Sequence, residues 1–488
     1  MRRNFAVIGS LVIFLTGLFA VALFWSPTPS LQVEELQWST SLMGYGADPS
    51  RFLLQALDLR QGNGYLDART APCTTLPPGQ PVFLSVLMLL STNLLILQFG
   101  QCLLHALSGV ILFLAIRPYG PRWGFLSGLL VNGSPWAATL ASSFMSETFG
   151  VFLSCCVVYF VVRMLAGRAT SYSMAAMGAF TVAACLTCPG VTFTMAALWC
   201  ISAVYIRKQP ARLGWLIMGA VLPMSVWQAH CIDGVGKPAV TLLHPLKLDP
   251  AVDWARVWSR SPDDFVNCVG VFIWPNDAPE YSSIPDYAYV SHDERLETEA
   301  VANAWRIAGS SFGPPDEHYV QKTKQLVEMA ETRIADDPLR FHVTLPILRG
   351  IRSWTDYRPP GPDSLADPAL IRRLTPGELI SDVQRFGTIR FLKRFSRSVL
   401  SLSVVILHYL TPLAVAWSVL YSIRSRSGIA ITVVFTLALY TFAHGFRGPE
   451  VRRNLPIIPL ALSLVSITKL RDANKPHWRA TATAIRVQ

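Results

Sequence analysis

Long apolar stretches recur along this chain, and their length limits what it can fold into. A helix that crosses a bilayer needs about 20 apolar residues, because lipid offers no partners and each backbone N–H and C=O must be satisfied within the segment. The first stretch, FAVIGSLVIFLTGLFAVALFW, covers residues 5–25. Others follow at 93–116, 123–141, 147–163, 172–187, 189–206, 213–229, 397–422, 428–444 and 455–469. On this criterion about ten spans are expected. Composition agrees, since the 488 residues are 51% hydrophobic and 15% charged, against about 25% charged in an ordinary soluble domain. The expected fold class is therefore an all-α polytopic membrane protein.

The net charge of +11 is arranged for a membrane and not for nucleic acid. Lys and Arg gather in short segments between apolar stretches: RPYGPR (117–122), RMLAGRATS (163–171), RKQPAR (207–212), RSRS (424–427) and KLRDANKPHWR (469–479). All of these fall on one side when the chain is threaded from a cytoplasmic N-terminus, as the positive-inside rule asks. The expected location is a bacterial-type inner membrane, with both termini cytoplasmic. The basic start at Arg2 and Arg3 resembles a signal peptide, but the apolar stretch is too long and lacks a small-residue cleavage pattern. It reads as an uncleaved span. One segment, PVFLSVLMLLS (81–91), would reverse every later loop if it crossed. It is read as an interfacial or re-entrant helix, with the true second span beginning near Asn93.

Two large external regions result, 26–92 and 230–395. The domain reading is a transmembrane module at 1–229 containing the first loop, an external region at 230–395, and C-terminal spans with a cytoplasmic tail at 396–488. Juxtamembrane helices are expected in the first loop, and mostly helical or irregular structure in the second. Helices are expected at 297–309 and 318–338 from apolar spacing. The segment RFHVTLPILRGIRSW (340–354) repeats apolar positions at Phe341, Leu345, Leu348 and Ile351, beside Arg349 and Arg352. It reads either as an amphipathic helix on the outer membrane face or as a helix packed on the external region. Six of the nine cysteines lie in apolar segments, where Cys acts as a small hydrophobe. CLTC (185–188) has redox spacing but no second pair nearby, and reads as packing. Cys73, Cys231 and Cys268 fall in expected external loops, where one pair can bridge.

Three features carry candidate chemistry. In the first loop, Asp48-Pro49 precedes Phe52, Leu53, Ala56 and Leu57, then Gly62 and Gly64. Asp caps a helix, Pro fits its first position and Gly ends it. A carboxylate held by such a cap at the membrane surface can also take an acceptor's proton. Glu147, in SSFMSETFGVFL (142–153), borders a span, where an acid is costly unless it has a task. A cap with Ser146 or Ser143 is the plain alternative. His444, Arg447, Arg452 and Arg453, in HGFRGPEVRRNLPIIPLAL (444–462), face outside against the positive-inside trend. The planar guanidinium fork suits a phosphate. No phosphate-cradling glycine loop is present, which argues against ATP-driven transport.

The order of these features resembles the GT-C class of integral membrane glycosyltransferases, near the protein O-mannosyltransferase and lipid A aminoarabinose transferase group. The matching residues are Asp48, GNGY (62–65), LPPGQPVFLSVLMLL (76–90), WGFLSGLLV (123–131), SFMSET (143–148), CLTCPGVTF (185–193) and RRNLPIIPL (452–460). They cover approximately residues 1–210 and the C-terminal hundred. Three departures stand out: Gln80 replaces an aromatic, Cys188 replaces an arginine, and Arg453-Asn454 replaces Tyr-Arg. The resemblance implies sugar transfer from a polyprenyl-phosphate-linked donor to a glycan, lipid or protein acceptor on the outer face. It implies Asp48 as base, Glu147 as second acid, and Arg447, Arg452 and Arg453 on the donor phosphate. Tyr65, His444, Arg349 and Arg352 are weaker substrate-binding candidates. Some relatives use a divalent metal beside the acids; with two acids visible, metal dependence stays open. The rival readings are a polysaccharide ligase or polymerase centred on Arg349, Arg352 and His342, and a lipid or solute transporter.

Overall fold

A computed structural model of the chain describes residues 2–24, 31–36, 48–67, 71–72, 77–235, 250–261, 264, 268, 284–307 and 317–355. These fall into two compact units, one within 2–235 and one within 250–355. The first contains α1 (Arg2–Phe24), α2 (Asp48–Gln61), α3 (Gly79–Leu87), α4 (Leu94–Ile116), α5 (Pro121–Asn132), α6 (Pro135–Ala141), α7 (Ser146–Leu165), α8 (Ser171–Thr187), α9 (Thr192–Tyr205) and α10 (Pro210–Val235). Among the described residues, strand structure is limited to one pairing of two-residue strands, β1 (Leu66–Asp67) with β2 (Ala71–Pro72). Among the described residues, α1, α4, α7 and α10 are long and apolar enough to cross a membrane, and α8 is a shorter apolar helix.

The helices sort by how much of each is enclosed. The apolar window of α7 is 72% buried, against 33% in α1 and 17% in α10. Thus α7 is central, while α1 and α10 present apolar residues such as Leu11, Leu15, Met218 and Leu222 outward, as lipid-facing surfaces do. Small residues let the backbones approach. A Cβ on Gly219 of α10 would stand 2.0 Å from the Ala175 carbonyl oxygen of α8. A Cβ on Gly109 of α4 would stand 2.5 Å from Asn132 Oδ1 and from the Gly128 carbonyl oxygen. Asn132 ends α5 and is fully buried. Its Nδ2 donates to the carbonyls of Ile13 (2.9 Å) and Ala106 (2.8 Å), and its Oδ1 accepts from Gly109 N (2.9 Å). His105 Nε2 lies 3.1 Å from the Asn132 carbonyl. One amide therefore ties α1, α4 and α5 together.

The two ends of this unit differ in charge. Tyr205 Oη donates to the Leu165 carbonyl (3.3 Å), and the Tyr172 and Trp215 rings are 5.8 Å apart. These contacts bring the α7–α8 and α9–α10 turns to the same end. Tyr119, in the α4–α5 turn, joins them: burial raises its hydroxyl pKa while the charge of nearby Arg168 lowers it. Arg117, Arg122, Arg163, Arg168, Arg207, Lys208 and Arg212 collect there. At the opposite end lie α2, α3, the starts of α4 and α7, and the end of α8.

The sequence and structure agree on several points. The helix expected near Asn93 begins at Leu94, with Asn93 Oδ1 capping Leu95 N (2.9 Å). Residues 81–87 of the segment 81–91 belong to the nine-residue α3 (Gly79–Leu87), which is shorter than a span. Elsewhere the expectations need correcting. The stretch 123–141 is two helices, because the Asn132–Gly133 turn is followed by Ser134, which caps α6 ahead of Pro135. The stretch 189–206 is a 3-10 turn (Pro189–Val191) followed by the 14-residue α9. Helix α10 runs past 229 to Val235, so Cys231 is a buried helical residue and not a loop cysteine. The spans expected at 397–422, 428–444 and 455–469 lie outside the described residues, as does Cys73.

The second unit contains α11 (Pro250–Trp258), a 3-10 turn (Asp286–Ala288), α12 (His292–Ile307), α13 (Glu317–Asp336) and, after a π-helical turn (Arg340–Thr344), α14 (Leu345–Thr355). Its core is Trp254, Val257, Trp258, Ile284, Val301 and Leu326, with Phe341 packed against it. Glu294 fastens the elements: its carboxylate accepts from Val290 N (2.7 Å), Arg333 Nη2 (2.6 Å) and Trp254 Nε1 (3.4 Å). The segment 340–354 does not expose the expected apolar face. Leu345 and Arg349 point inward, while Leu339, Val343, Ile347 and Ile351 form the exposed stripe. The π turn advances the chain by more residues per turn than an α-helix, which shifts the phase.

Candidate functional site

The candidate site is the corner where α2, α3, α4 and α7 meet. Helix α2 forms for the local reasons the sequence supplies. It begins at Asp48, one residue earlier than the cap reading, and Pro49 sits inside its first turn, where its missing N–H costs nothing. It ends in a Schellman motif: Gly62 at φ 80°, Gly62 N donating to Leu59 O (3.2 Å) and Asn63 N to Asp58 O (3.0 Å). Between these ends, Phe52, Leu53, Leu54, Ala56 and Leu57 are buried. They share a core with Leu84 and Met88 of α3, Leu94 and Leu97 of α4, and Phe144. Pairing of 31–36 with 92–94, through Val33 N to Thr92 O and Leu94 N to Leu31 O (3.1 Å each), fixes where the chain enters α4.

The loop 142–145, between α6 and α7, is the most constrained part of the corner. Phe144 has φ 59°, and among the described residues it is the one non-glycine residue with positive φ. For a bulky side chain this costs about 1–3 kcal/mol and persists only where the surroundings over-determine it. Three glutamines do so. Gln98 Nε2 donates to the Ser142 carbonyl (2.5 Å), Gln80 Nε2 to the Phe144 carbonyl (3.1 Å) and Gln101 Nε2 to the Met145 carbonyl (2.8 Å). All three side chains are fully buried. Gln80 can reach because α3 starts hard against the end of α8: a Cβ on Gly79 would lie 2.1 Å from Thr187 Oγ1.

This clamp delivers Glu147 in the first turn of α7, 5% exposed. The N-cap is Met145, which offers no side-chain cap, and Ser143 Oγ is spent on the Thr139 and Leu140 carbonyls (3.1 Å each). The simple capping explanation for Glu147 is therefore missing. Ser146 Oγ lies 3.4 Å from Glu147 Oε2. The N-terminal dipole of α7 favours the ionised carboxylate. Beside it, Thr148 Oγ1, and across the loop Gln80 Oε1, are buried with no hydrogen-bond partner. Native interiors rarely leave such atoms open.

The structure places the other sequence-derived candidates as follows. Asp48 opens α2, whose residues share the core of Phe144, three positions before Glu147. The Asp48 side chain is outside the described atoms. Tyr65 is 5% exposed, with its ring 5.6 Å from His230 and 6.2 Å from Trp227. Its hydroxyl donates to Gln55 Oε1 at 3.4 Å. It locks the turn after α2 against α10. Arg349 and Arg352 belong to the second unit. His444, Arg447, Arg452 and Arg453 lie outside the described residues. Among the described residues no three His, Cys, Asp or Glu side chains gather as metal ligands.

Sequence reading passed over several residues that the structure singles out. Gln98 and Gln101 were unremarked, and Gln80 was noted only as a departure. A polar residue kept inside an apolar stretch, as in ILQFGQCLL, was the available signal. Asp58 is also buried, 1% exposed, with Asn63 Nδ2 at 3.4 Å from its Oδ1. Cys188, in the place of the arginine of the resemblance, is buried at the end of α8. No protein family, curated protein or solved structure matches the chain.

Proposed function

We propose that the chain is an integral-membrane glycosyltransferase that moves a sugar from a polyprenyl-phosphate donor to a hydroxyl acceptor. The observation that carries this reading is the Glu147 corner: a buried carboxylate, placed by a strained loop, beside polar atoms that have no protein partner. Helix α2, which Asp48 opens, shares a core with Phe144 of that loop.

In this reading the Asp48 carboxylate takes the acceptor's proton as the acceptor oxygen bonds to the anomeric carbon. The bond from that carbon to the phosphate oxygen breaks, and its electron pair leaves with the lipid phosphate. In-line attack inverts the anomeric centre. Glu147 orients the sugar or acceptor hydroxyl, with Thr148 Oγ1 and Gln80 Oε1 as further contacts. Arg447, Arg452 and Arg453 neutralise the leaving phosphate. The corner faces the outer side and the basic end the cytoplasm, within a fold of about ten spans in a bacterial-type inner membrane.

Membranes containing the wild type transfer labelled sugar from polyprenyl phosphate, and Asp48→Asn abolishes transfer while the protein inserts normally. Full transfer by Asp48→Asn would reject the role of base. Cysteines placed at Leu87 and Gly120 check the orientation, since outside access at 120 reverses it. A polysaccharide ligase or polymerase is the second reading. It is favoured by the buried Arg349 in the external unit, and it makes Asp48 dispensable in the same assay.

A further inference from the structure

The second unit concentrates positive charge at one place. Helix α11 carries Arg256 in its last turn, and Arg260 follows just beyond it. The Arg260 guanidinium stacks over the Tyr287 ring, 4.1 Å from its centroid. Arg352 of α14 is near enough for its charge to be felt at the Tyr287 hydroxyl, and Arg256 near enough to be felt at Arg349. One acid at this spot is Asp264, and it is occupied. Its Oδ2 accepts from Arg260 N (2.8 Å) and Ser261 N (3.0 Å), and Tyr287 hydrogen-bonds to the same carboxylate.

Arg349 sits beneath this group with no solvent exposure. Its Nε donates to Leu345 O of its own helix (3.2 Å), and its Nη1 has no partner. Burial, reinforced by the like charge of Arg256, lowers its pKa to about 9, so it remains a cation at neutral pH. A buried cation with no counter-ion among the described residues is among the costliest arrangements a fold can carry. Arg256, Arg260 and Arg352 are partly exposed.

We propose that Arg349, Arg256 and Arg352, with Tyr287 at the edge, form a binding site for a phosphoryl oxyanion. A carboxylate ligand brings one charge. A phosphate monoester or diphosphate brings about two and several acceptor oxygens, which match convergent guanidinium forks. The site stands independently of the transferase reading, because it lies in the other unit and uses none of Asp48, Glu147 or Gln80.

The test uses the full-length protein, purified in detergent and also in nanodiscs. In the first arm, inorganic pyrophosphate is titrated and the thermal midpoint and calorimetric heat are followed. In the second, the nanodiscs contain phosphatidic acid in place of a zwitterionic lipid. Stabilisation by pyrophosphate assigns a free phosphate; stabilisation only by phosphatidic acid assigns a lipid headgroup. In either arm Arg349→Gln and Arg256→Gln weaken binding about tenfold or more, the loss expected for one charge-assisted hydrogen bond. Arg349→Met raises the midpoint of the ligand-free protein, by removing an uncompensated buried charge, and abolishes the ligand's effect. Absence of stabilisation in both arms, undiminished binding in Arg349→Gln and Arg256→Gln, or a lowered ligand-free midpoint in Arg349→Met would overturn the proposal. Arg256 is partly exposed, and Arg256→Gln keeps the test readable if Arg349→Gln misfolds.

Discussion

Asn132 and Gln80 are both amides buried among apolar helices, yet they have opposite accounts. Asn132 satisfies itself on all sides: two donors to carbonyls on α1 and α4, and one acceptor to an α4 amide. Gln80 spends its NH2 on the Phe144 carbonyl and on Gln101 Oε1, and leaves its own Oε1 open. Thr148, one residue after Glu147, is likewise buried with an open hydroxyl. A complete set of partners marks a structural pin. An incomplete set, next to a buried carboxylate and a strained loop, is the ground on which the corner is proposed as a site.

Four substitutions press on that contrast. Glu147→Gln should remove about 10²–10⁴ of sugar transfer, the usual worth of a positioned acid or base. Its thermal midpoint should be no lower than that of the wild type, since an amide is easier to bury than a carboxylate; a collapsed midpoint would move Glu147 into the structural class. Asn132→Leu should cost about 3 kcal/mol of stability, because it strands backbone groups on several helices at once. Denaturant titration in mixed micelles reads this, and the correctly folded fraction should keep its specific activity. Gly109→Ala presses a Cβ into the same pin and should cost about 2 kcal/mol by over-packing; an unaffected midpoint would mean that α4 and α5 can separate freely. The smallest effect belongs to Gln80→Met, at about 1 kcal/mol or less of stability. Its transfer rate should nevertheless fall, and equal losses in both measurements would erase the distinction between the two amides.

Legibility in the sequence followed the physical range of each signal. The long apolar helices α1, α4, α7 and α10 were readable because crossing lipid sets a length. Helix α2 was readable because Asp-Pro and Gly act locally. The break between α5 and α6 was not, since an apolar count across 123–141 does not register that Asn132 leaves its helix to bond two others. The inward turn of Arg349 was hidden by the π-helical residues 340–344, which put Ile351 outside and Arg349 inside. The glutamine clamp was hidden for another reason. Gln98 lies 44 residues from Ser142, and Gln80 lies 64 from Phe144, so no local pattern joins them.

The clamp grips main-chain oxygens. Ser142, Phe144 and Met145 are each held by a carbonyl, a group every residue possesses. The loop that aims Glu147 is thus free to change its letters, whereas Gln80, Gln98 and Gln101 are not, because Asn is too short and Glu cannot donate. Among descendants of this chain the aiming loop would drift beyond recognition while three scattered glutamines stayed fixed. A search keyed to the residues around the acid would then look in the wrong place for kinship.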